Sequence, residues 1–195
     1  AMSEQKVTTR IAAPKNRVEP LLGSTSVAGC SYNKIWRWGD DNMLPYALSL
    51  LARRSVAHRR IINDKADYIA GKGIACREDM PLLKQLTLCA NGSGESLRSV
   101  IARLALDEAM FGNAFLEVVT DADHSFLTLY HHDASHCRLA RDNQYVLLHH
   151  DWAHFKLAEA RSVALYPTFE VDDEGLHRAM IHYKDYEPMF SHYGV

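Results

Sequence analysis

The hydrophobic period of the sequence changes at the junction of Phe111 and Gly112. Upstream, apolar residues follow Ser96 at the i, i+3, i+4, i+7 and i+8 spacing of a half-buried helix with a serine N-cap. They are Leu97, Val100, Ile101, Leu104 and Ala105. Downstream, residues 114–120 (AFLEVVT) have the composition of a strand. A helix must therefore end here and be followed by a strand, and Gly112 suits a left-handed backbone between the two.

Three shorter helices are predicted before this one. The first covers residues 45–54, and Ser55 is a suitable N-cap for the second, which Gly71 ends. Asp79 can cap the third, which the turn residues 91–94 (NGSG) break. At helical spacing, the second helix is predicted to bury Ile62, Ala66 and Ile69, and the third carries Leu82, Leu83 and Leu86.

After Gly112 the sequence predicts two pairs of strands. Residues 114–120 and 125–132 are joined by a turn at 121–124, which is typical of a β-hairpin. Residues 137–141 and 144–150 form a second pair around Asp142 and Asn143. We therefore predict an α+β fold in which several N-terminal helices pack against an antiparallel β meander.

The chain divides into an arm and a domain. Residues 1–35 show no sustained periodicity and contain Pro14 and Pro20, so we predict a flexible N-terminal arm. We predict that residues 36–195 form one α+β domain, and the overall 47% hydrophobic and 24% charged residues are ordinary for a globular protein.

Charge and hydropathy limit the classes of partner that the chain is expected to bind. A net charge of −2 gives no whole-chain reason to bind phosphate tightly, although a local basic patch is compatible with it. No apolar run approaches the roughly 18 residues that span a bilayer, and the N-terminus lacks a secretory pattern. We expect a soluble, cytosolic chain with no membrane partner.

The cysteines predict neither a metal site nor a redox pair, because none of the four lies close to another in the sequence. We expect reduced thiols that pack as small apolar residues. The four are Cys30, Cys76, Cys89 and Cys137.

Two stretches share the pattern H-H-D-x-x-H, at residues 131–136 (HHDASH) and 149–154 (HHDWAH). They contain six of the eleven histidines together with Asp133 and Asp151, and these are ligand types that suit zinc or another divalent transition metal. In an up-and-down meander the two stretches would end at the same edge of the sheet, roughly 10 Å apart. A shared metal ion is geometrically possible on that arrangement.

Strand geometry argues against the metal site. Neighbouring residues of a strand point to opposite faces, so His131 and His132 cannot both join one site without a bend, and the same holds for His149 and His150. Asp133 and Asp151 also suit ordinary turn hydrogen bonding. We predict a histidine-rich sheet edge without a metal, and no cofactor.

Other chemical motifs are equally weak. The GKG at residues 71–73 follows a helix and lacks the remaining positions of a phosphate loop, so we assign it to a helix end. No G-x-S-x-G occurs, and no Ser, His and Asp set indicates a triad. Asp107, Glu108 and Glu117 are interpreted as solvated carboxylates. We predict no catalytic residue.

Four segments, in order, resemble the N-terminal half of tailed-bacteriophage portal proteins. They lie at residues 38–45 (WGDDNMLP), 58–74 (HRRIINDKADYIAGKGI), 96–119 (SLRSVIARLALDEAMFGNAFLEVV) and 126–143 (FLTLYHHDASHCRLARDN). The tail at 180–195 (MIHYKDYEPMFSHYGV) resembles the family's H-x-x-x-Y segment followed by Y-G-x-P. The histidine-rich edge has no counterpart that we associate with the family.

The resemblance implies a structural role without enzymatic activity. It predicts the wing region of a portal ring, the head–tail connector vertex through which phage DNA is packaged and ejected. Implied partners are other portal subunits, capsid, terminase and tail-connector proteins, with DNA touched only by channel helices beyond residue 195. The implied location is the virion, and the bacterial host cytoplasm during assembly. We expect a fragment of a portal protein or a truncated prophage gene product.

Two alternatives from other classes remain. One is a metal-dependent enzyme that uses the histidine-rich edge. The other is a general interaction domain in which Trp36, Trp38 and Tyr130 are exposed anchors, since aromatic residues dominate binding hot spots. Core packing is the expected role of these three aromatic residues.

Overall fold

The computed structural model describes residues 34–75, 80–123 and 125–184. Nearly all of the predicted arm at 1–35, Cys30, Cys76, Asp79 and the tail after Lys184 lie outside the described residues. The helices of the described part are α1 (Leu44–Arg54), α2 (Val56–Ala70), α3 (Pro81–Leu88) and α4 (Leu97–Phe111). Its strands are β1 (Asn113–Thr120), β2 (Leu127–His132), β3 (Cys137–Leu139), β4 (Tyr145–Leu148), β5 (Arg161–Ala164), β6 (Glu170–Val171) and β7 (His177–Lys184).

The predicted starts of α2 and α4 are confirmed by their caps. The Ser55 hydroxyl accepts a hydrogen bond from the His58 backbone N–H at 3.3 Å, and Ser96 accepts one from Ser99 N–H at 3.2 Å. Gly71 ends α2 with φ of 50°, which agrees with the helix-end role given to the GKG segment. Local side-chain chemistry thus sets these boundaries, because the first N–H groups of a helix have no partner within it.

The buried stripe of α2 differs from the prediction. Ile62, Ala66 and Ala70 are buried, whereas Ile69 is 49% exposed. The buried positions follow an i, i+4, i+8 row, because α2 packs mainly on α4 through one narrow face. Ile69 lies about 100° around the helix from Ala70 and therefore faces outward.

The strands form two antiparallel sheets. One has the order β2-β1-β7-β6 and the other the order β3-β4-β5. The α+β class is confirmed, but the predicted single meander from 114 to 150 is divided, because β2 and β3 do not pair. A 3-10 turn, Ala134–His136, follows β2 and directs the chain into the second sheet.

The central strand β1 pairs on both sides. Its neighbours are β2 and β7, with Glu117 opposite Tyr130 on one side and Met180 on the other. Seven of its eight residues are buried, as a strand with two neighbours and two covered faces requires. Sequence analysis did not identify β5, β6 or β7.

The described elements form three layers, with the larger sheet in the middle. On one face, Leu116, Leu129 and Ile181 pack against α3 and α4. On the other face, Phe115 and Met180 pack against the second sheet. The apolar side chains from the second sheet are Leu139, Val146 and Val163.

The described cysteines are Cys89 and Cys137, and both are free thiols. Cys137 is buried as predicted, and burial raises the pKa of its thiol well above the ordinary value. Cys89 is exposed instead, which corrects the expectation that it packs in the core. It lies at the C-cap of α3, where the chain leaves the helix and the thiol donates to the Asn91 carbonyl.

Gly112 adopts the left-handed conformation between α4 and β1, with φ of 65° and ψ of 13°. We expect Gly112→Val to lower the free energy of unfolding by roughly 1–3 kcal/mol, because a β-branched residue adopts positive φ only with strain. Chemical denaturation of both proteins measures the difference. Gly112→Asn is the matched control, since asparagine tolerates this region and should lose less. A valine variant as stable as the parent would contradict the requirement.

Candidate functional site

The first histidine pair lies at the end of β2, and its two rings point to opposite faces of the sheet. His131 Nε2 lies 2.8 Å from Asp107 Oδ2 on α4. His132 Nε2 lies 2.7 Å from Glu117 Oε2 on β1, on the other face. The predicted divergence of neighbouring strand histidines is confirmed, and each ring has its own carboxylate partner.

The prediction of solvated carboxylates is wrong for Asp107 and Glu117, which are 6% and 2% exposed. Asp107 lies seven residues after Val100 on the buried face of α4, and that spacing was a signal for its burial. Glu117 lies between the apolar residues Leu116 and Val118 of β1. Glu108 stays nearer the surface, with its side chain 30% exposed and 3.4 Å from Lys65 Nζ.

Asp107 connects α4 to the turn after β2. Its Oδ2 accepts the hydrogen bond from the Ala134 backbone N–H at 2.9 Å as well as contacting His131. Burial raises the pKa of Asp107, and the hydrogen bonds from His131 and Ala134 offset only part of that effect. This carboxylate fixes the helix against the start of the second sheet.

Glu117 is the centre of an ionic network that joins both sheets. Besides His132 it contacts Arg161 of β5, whose Nη1 is 3.2 Å from Oε2 and whose Nη2 makes a shorter bond to Oε1. Arg178 of β7 donates from Nη1 to Glu117 Oε1 at 3.3 Å and from Nε to Asp172 Oδ2 at 2.5 Å. Burial alone would raise the pKa of Glu117, but hydrogen bonds from His132 and Arg161 outweigh it and lower the pKa to about 2.

Each H-H-D-x-x-H stretch forms a local turn in which the aspartate is the cap. Asp133 Oδ1 accepts from the Ser135 N–H at 2.8 Å, and Asp151 Oδ1 accepts from the Ala153 N–H at 3.0 Å. The two turns contact each other through the His136 carbonyl, which accepts from His149 N–H at 3.0 Å. The repeated pattern therefore encodes a repeated turn after a strand.

The second histidine pair does not converge on the first. His149 is buried among His150, Trp152 and Phe155, with ring centroids 4.9 to 5.7 Å away. His154 contacts Asp151 at 2.7 Å on the exposed side of the turn. Over residues 34–75, 80–123 and 125–184, no group of three or more His, Cys, Asp or Glu side chains is placed to hold a metal ion. The predicted lack of a metal stays a prediction.

A half-buried histidine, His182, was missed by sequence analysis because it lies on the unidentified strand β7. His182 stacks on Phe115 with ring centroids 4.6 Å apart, and its Nε2 lies 2.8 Å from Asn113 Oδ1. Burial, and then the charge of Lys184, lower the pKa of His182 to about 4. It is neutral at physiological pH and acts as a packing residue.

The fully buried guanidinium of Arg138 binds the segment directly before α1, which contains Trp38 and Asn42. Its Nε donates to Asn42 Oδ1 at 2.6 Å, and its Nη2 donates to the Asn42 carbonyl at 2.9 Å. Nη1 donates to the carbonyls of Ser135 and Cys137. The guanidinium carbon also lies 5.5 Å and 4.9 Å from the ring centroids of Trp38 and Trp152.

The aromatic residues considered as anchors are engaged within the chain. Trp38 is 2% exposed and packs on Phe111. Trp36 Nε1 donates to Asn143 Oδ1 at 3.1 Å, and the Tyr130 hydroxyl accepts from the Gly92 N–H at 3.4 Å. Core packing is therefore confirmed for Trp38, while Trp36 and Tyr130 are half-buried.

The polar groups of the site are arranged to hold elements together. A cleft of about 500 Å³ opens beside Arg161 and Arg178. Both guanidiniums in it are already paired with Glu117, and Arg178 also with Asp172. The buried carboxylates Asp107 and Glu117 are likewise occupied by partners from neighbouring strands. Such saturated networks favour rigid packing over acid–base chemistry.

Comparisons with known proteins support the fold. No protein-family model and no curated protein matches the sequence. Among solved structures, the fold is similar to a chain in the virion of a native gene transfer agent (GTA) particle, with a TM-score of 0.54 and 15% identity over 77% of this chain. It is also similar to a chain in the neck of an empty GTA particle computed with C6 symmetry, with a TM-score of 0.53 and 16% identity over 72%.

The similarity covers only part of each of these two structures. This chain spans 38% and 36% of the lengths of those two chains. Within the part of the chain that the structure describes, each helix is too short or too polar to cross a bilayer. The likeness is thus one of fold, over a part of two longer particle proteins.

The Glu117 network predicts a specific acid dependence. Because the folded-state pKa is about 2 and the ordinary value is 4.5, the carboxylate stabilises the fold above pH 4.5, and this contribution is lost as the pH falls towards 2. We expect Glu117→Gln to lower the free energy of unfolding by roughly 2–3 kcal/mol at pH 7. We also expect it to flatten the decline between pH 4.5 and 2, measured by denaturant titration across pH.

Asp173→Asn is the charge-matched control, because Asp173 is exposed on the turn before β7. It should leave the stability near the parent value at pH 7. Equal losses in the two variants would mean that the network around Glu117 contributes nothing specific.

The geometry of the two histidine turns predicts that a chelator does not change the thermal stability of the protein. A metal bound only to the folded state would raise stability by roughly 2.7 kcal/mol at a hundredfold excess over its dissociation constant. We expect a chelator to leave the melting temperature unchanged, since the rings point to different faces. Calorimetry of protein purified without a metal-affinity step makes the test, and a drop of several degrees would contradict it.

Proposed function

We propose that this chain is the outer, wing-like part of a portal-type ring subunit, a structural component of a phage-like particle at its head–tail connector. Its role would be to support a ring through which DNA is packaged and ejected. The domain would comprise residues 36–195 after an arm at 1–35. Other ring subunits, capsid, terminase and tail-connector proteins would be its partners.

One observation carries the proposal: segments that resemble portal proteins are the ones that meet in the three-dimensional structure. The segment at 38–45 supplies Trp38 and Asn42, and the segment at 126–143 supplies Arg138, which binds both. The segment at 96–119 forms α4, the left-handed Gly112 and β1. The likeness in fold to chains of the GTA virion and neck agrees with this interpretation.

A structural role also fits the chemistry of the site better than catalysis does. His131 and His132 are paired with the buried carboxylates Asp107 and Glu117, and the described His, Cys, Asp and Glu side chains form no group of three placed to hold a metal ion. We therefore propose a protein without enzymatic activity or cofactor, located in the virion and, during assembly, in the bacterial host cytoplasm. DNA contact would come from channel helices in a longer chain.

Assembly provides the test. We expect residues 1–195 to be a monomer or a weak small oligomer, because stable contacts bury about 1,200–2,000 Å² and a wing region alone offers little of a ring interface. A chain that continues through channel helices should form a large ring, and sedimentation of both proteins decides the matter. A longer chain that stays monomeric would count against the portal proposal, as would a reading frame without neighbouring capsid and terminase genes.

A further inference from the structure

A basic corner lies where α1 meets α2, formed by Arg53, Arg54, Arg59 and Arg60. All four side chains are exposed. Arg60 makes an ion pair of 3.5 Å with Asp64, in which both side chains are more than two-thirds exposed. Arg53, Arg54 and Arg59 have no ion pair with any of the described residues. A cleft beside the corner is lined by Arg53, Arg59, Asp107 and Asp133.

An acidic hairpin connects β6 and β7, and comprises Glu170, Asp173 and Glu174. Asp173 and Glu174 are exposed, and none of the three makes an ion pair with a described residue. Asp172 between them is different, because it binds Arg178 and accepts from the N–H groups of Glu174 and Leu176. Two exposed carboxylates therefore lie on this turn, and a third, the half-buried Glu170, lies beside it on β6.

The two patches lie at opposite ends of the central strand. Arg98 Nε at the start of α4 donates to the Gly71 carbonyl at the end of α2, so these helices are antiparallel. The start of α2, and with it the basic corner, therefore lies beside the end of α4 and the Asn113 end of β1. The acidic hairpin precedes His177, which pairs with Thr120 at the other end. Eight residues of β1 separate the patches by about 24 Å.

We propose that the basic corner of one copy of this chain docks on the acidic hairpin of the next copy, head to tail. Opposite charges at opposite ends suit such a contact, because a heterologous interface repeats from copy to copy and closes into a ring when the rotation allows. Each patch also carries an exposed apolar side chain, Val56 at 82% and Val171 at 60%. The inference rests on the proposed function and names the surfaces by which subunits would meet.

A second copy explains the observations better than a nucleic acid does. A phosphate backbone would match the arginines but would leave the acidic hairpin unused, whereas a second copy uses both patches. The net charge of −2 also leaves two copies without strong mutual repulsion. Exposed ion pairs are weak singly and are screened by salt, so the contact should be weak and should respond to ionic strength.

Charge reversal of each patch separately tests the contact. One variant carries Arg53→Glu, Arg54→Glu and Arg59→Glu, which makes the corner negative, and the other carries Asp173→Lys and Glu174→Lys, which makes the hairpin positive. Sedimentation equilibrium at roughly 0.01 M salt, where the screening length is about 30 Å, should show weak self-association of the parent. At roughly 0.15 M salt, where that length is about 8 Å, the association should weaken. Each variant alone should be monomeric, because both of its patches have the same sign.

The equimolar mixture of the two variants is the decisive sample. In it each corner again meets a hairpin of opposite sign, so association should return to the parent level. Lys34→Glu, Lys72→Glu and Lys84→Glu together are the matched control, since they reverse three exposed charges outside the corner and should associate like the parent. Circular dichroism confirms that each variant is folded.

Several results would overturn the contact. These are a parent that is monomeric at low salt, a variant that associates like the parent, or a mixture that stays monomeric. Duplex DNA binding that the corner variant loses without any change in self-association would assign the corner to nucleic acid instead. A longer chain that forms rings even with both reversals would refute this contact but leave the portal proposal intact, whereas failure of the longer parent chain to form rings would refute that proposal itself.

Discussion

The burial of one positive charge, on Arg138, fixes the segment directly before α1, which contains Trp38 and Asn42, against the second sheet. A buried guanidinium is costly unless its N–H groups are all directed at acceptors. Here the acceptors come from Asn42, Ser135 and Cys137, and two tryptophan rings flank the charge. Arg138 of β3 therefore joins the segment before α1 to the turn after β2. Glu117 performs the corresponding task for the opposite charge, between β1, β2, β5 and β7.

The sequence predicted the features that depend on neighbouring residues. Ser55 and Ser96 cap their helices, Gly112 is left-handed, and the class is α+β, because caps and turns require only a few adjacent side chains. Pairings between distant residues were missed or wrong. The strand β7 (HRAMIHYK) has no clean alternation, so nothing local shows that it lies beside β1, and without it the four predicted strands were placed in a single meander.

For the candidate site, the sequence predicted only that His131 and His132 point to opposite faces of the sheet. Opposed faces for His131 and His132 follow from the strand period alone. The burial of Asp107 and Glu117 does not, since a carboxylate is ordinarily solvated unless a partner is provided, and their partners lie 15 to 61 residues away. The helical spacing of Asp107 from Val100 was the available signal, but only the tertiary structure supplies His131 and the Ala134 N–H.

The late position of β7 has a consequence for synthesis of the chain. Glu117 and its partner Met180 are separated by more than sixty residues, so β1 leaves the ribosome well before the strand that covers one of its edges. Until β7 is made, a strand with five apolar residues out of eight has unpaired N–H and C=O groups along that edge, which is a template for pairing with another chain. The nascent protein is thus most prone to aggregation between the emergence of β1 and the emergence of β7, and chaperone binding to β1 during that interval would protect it.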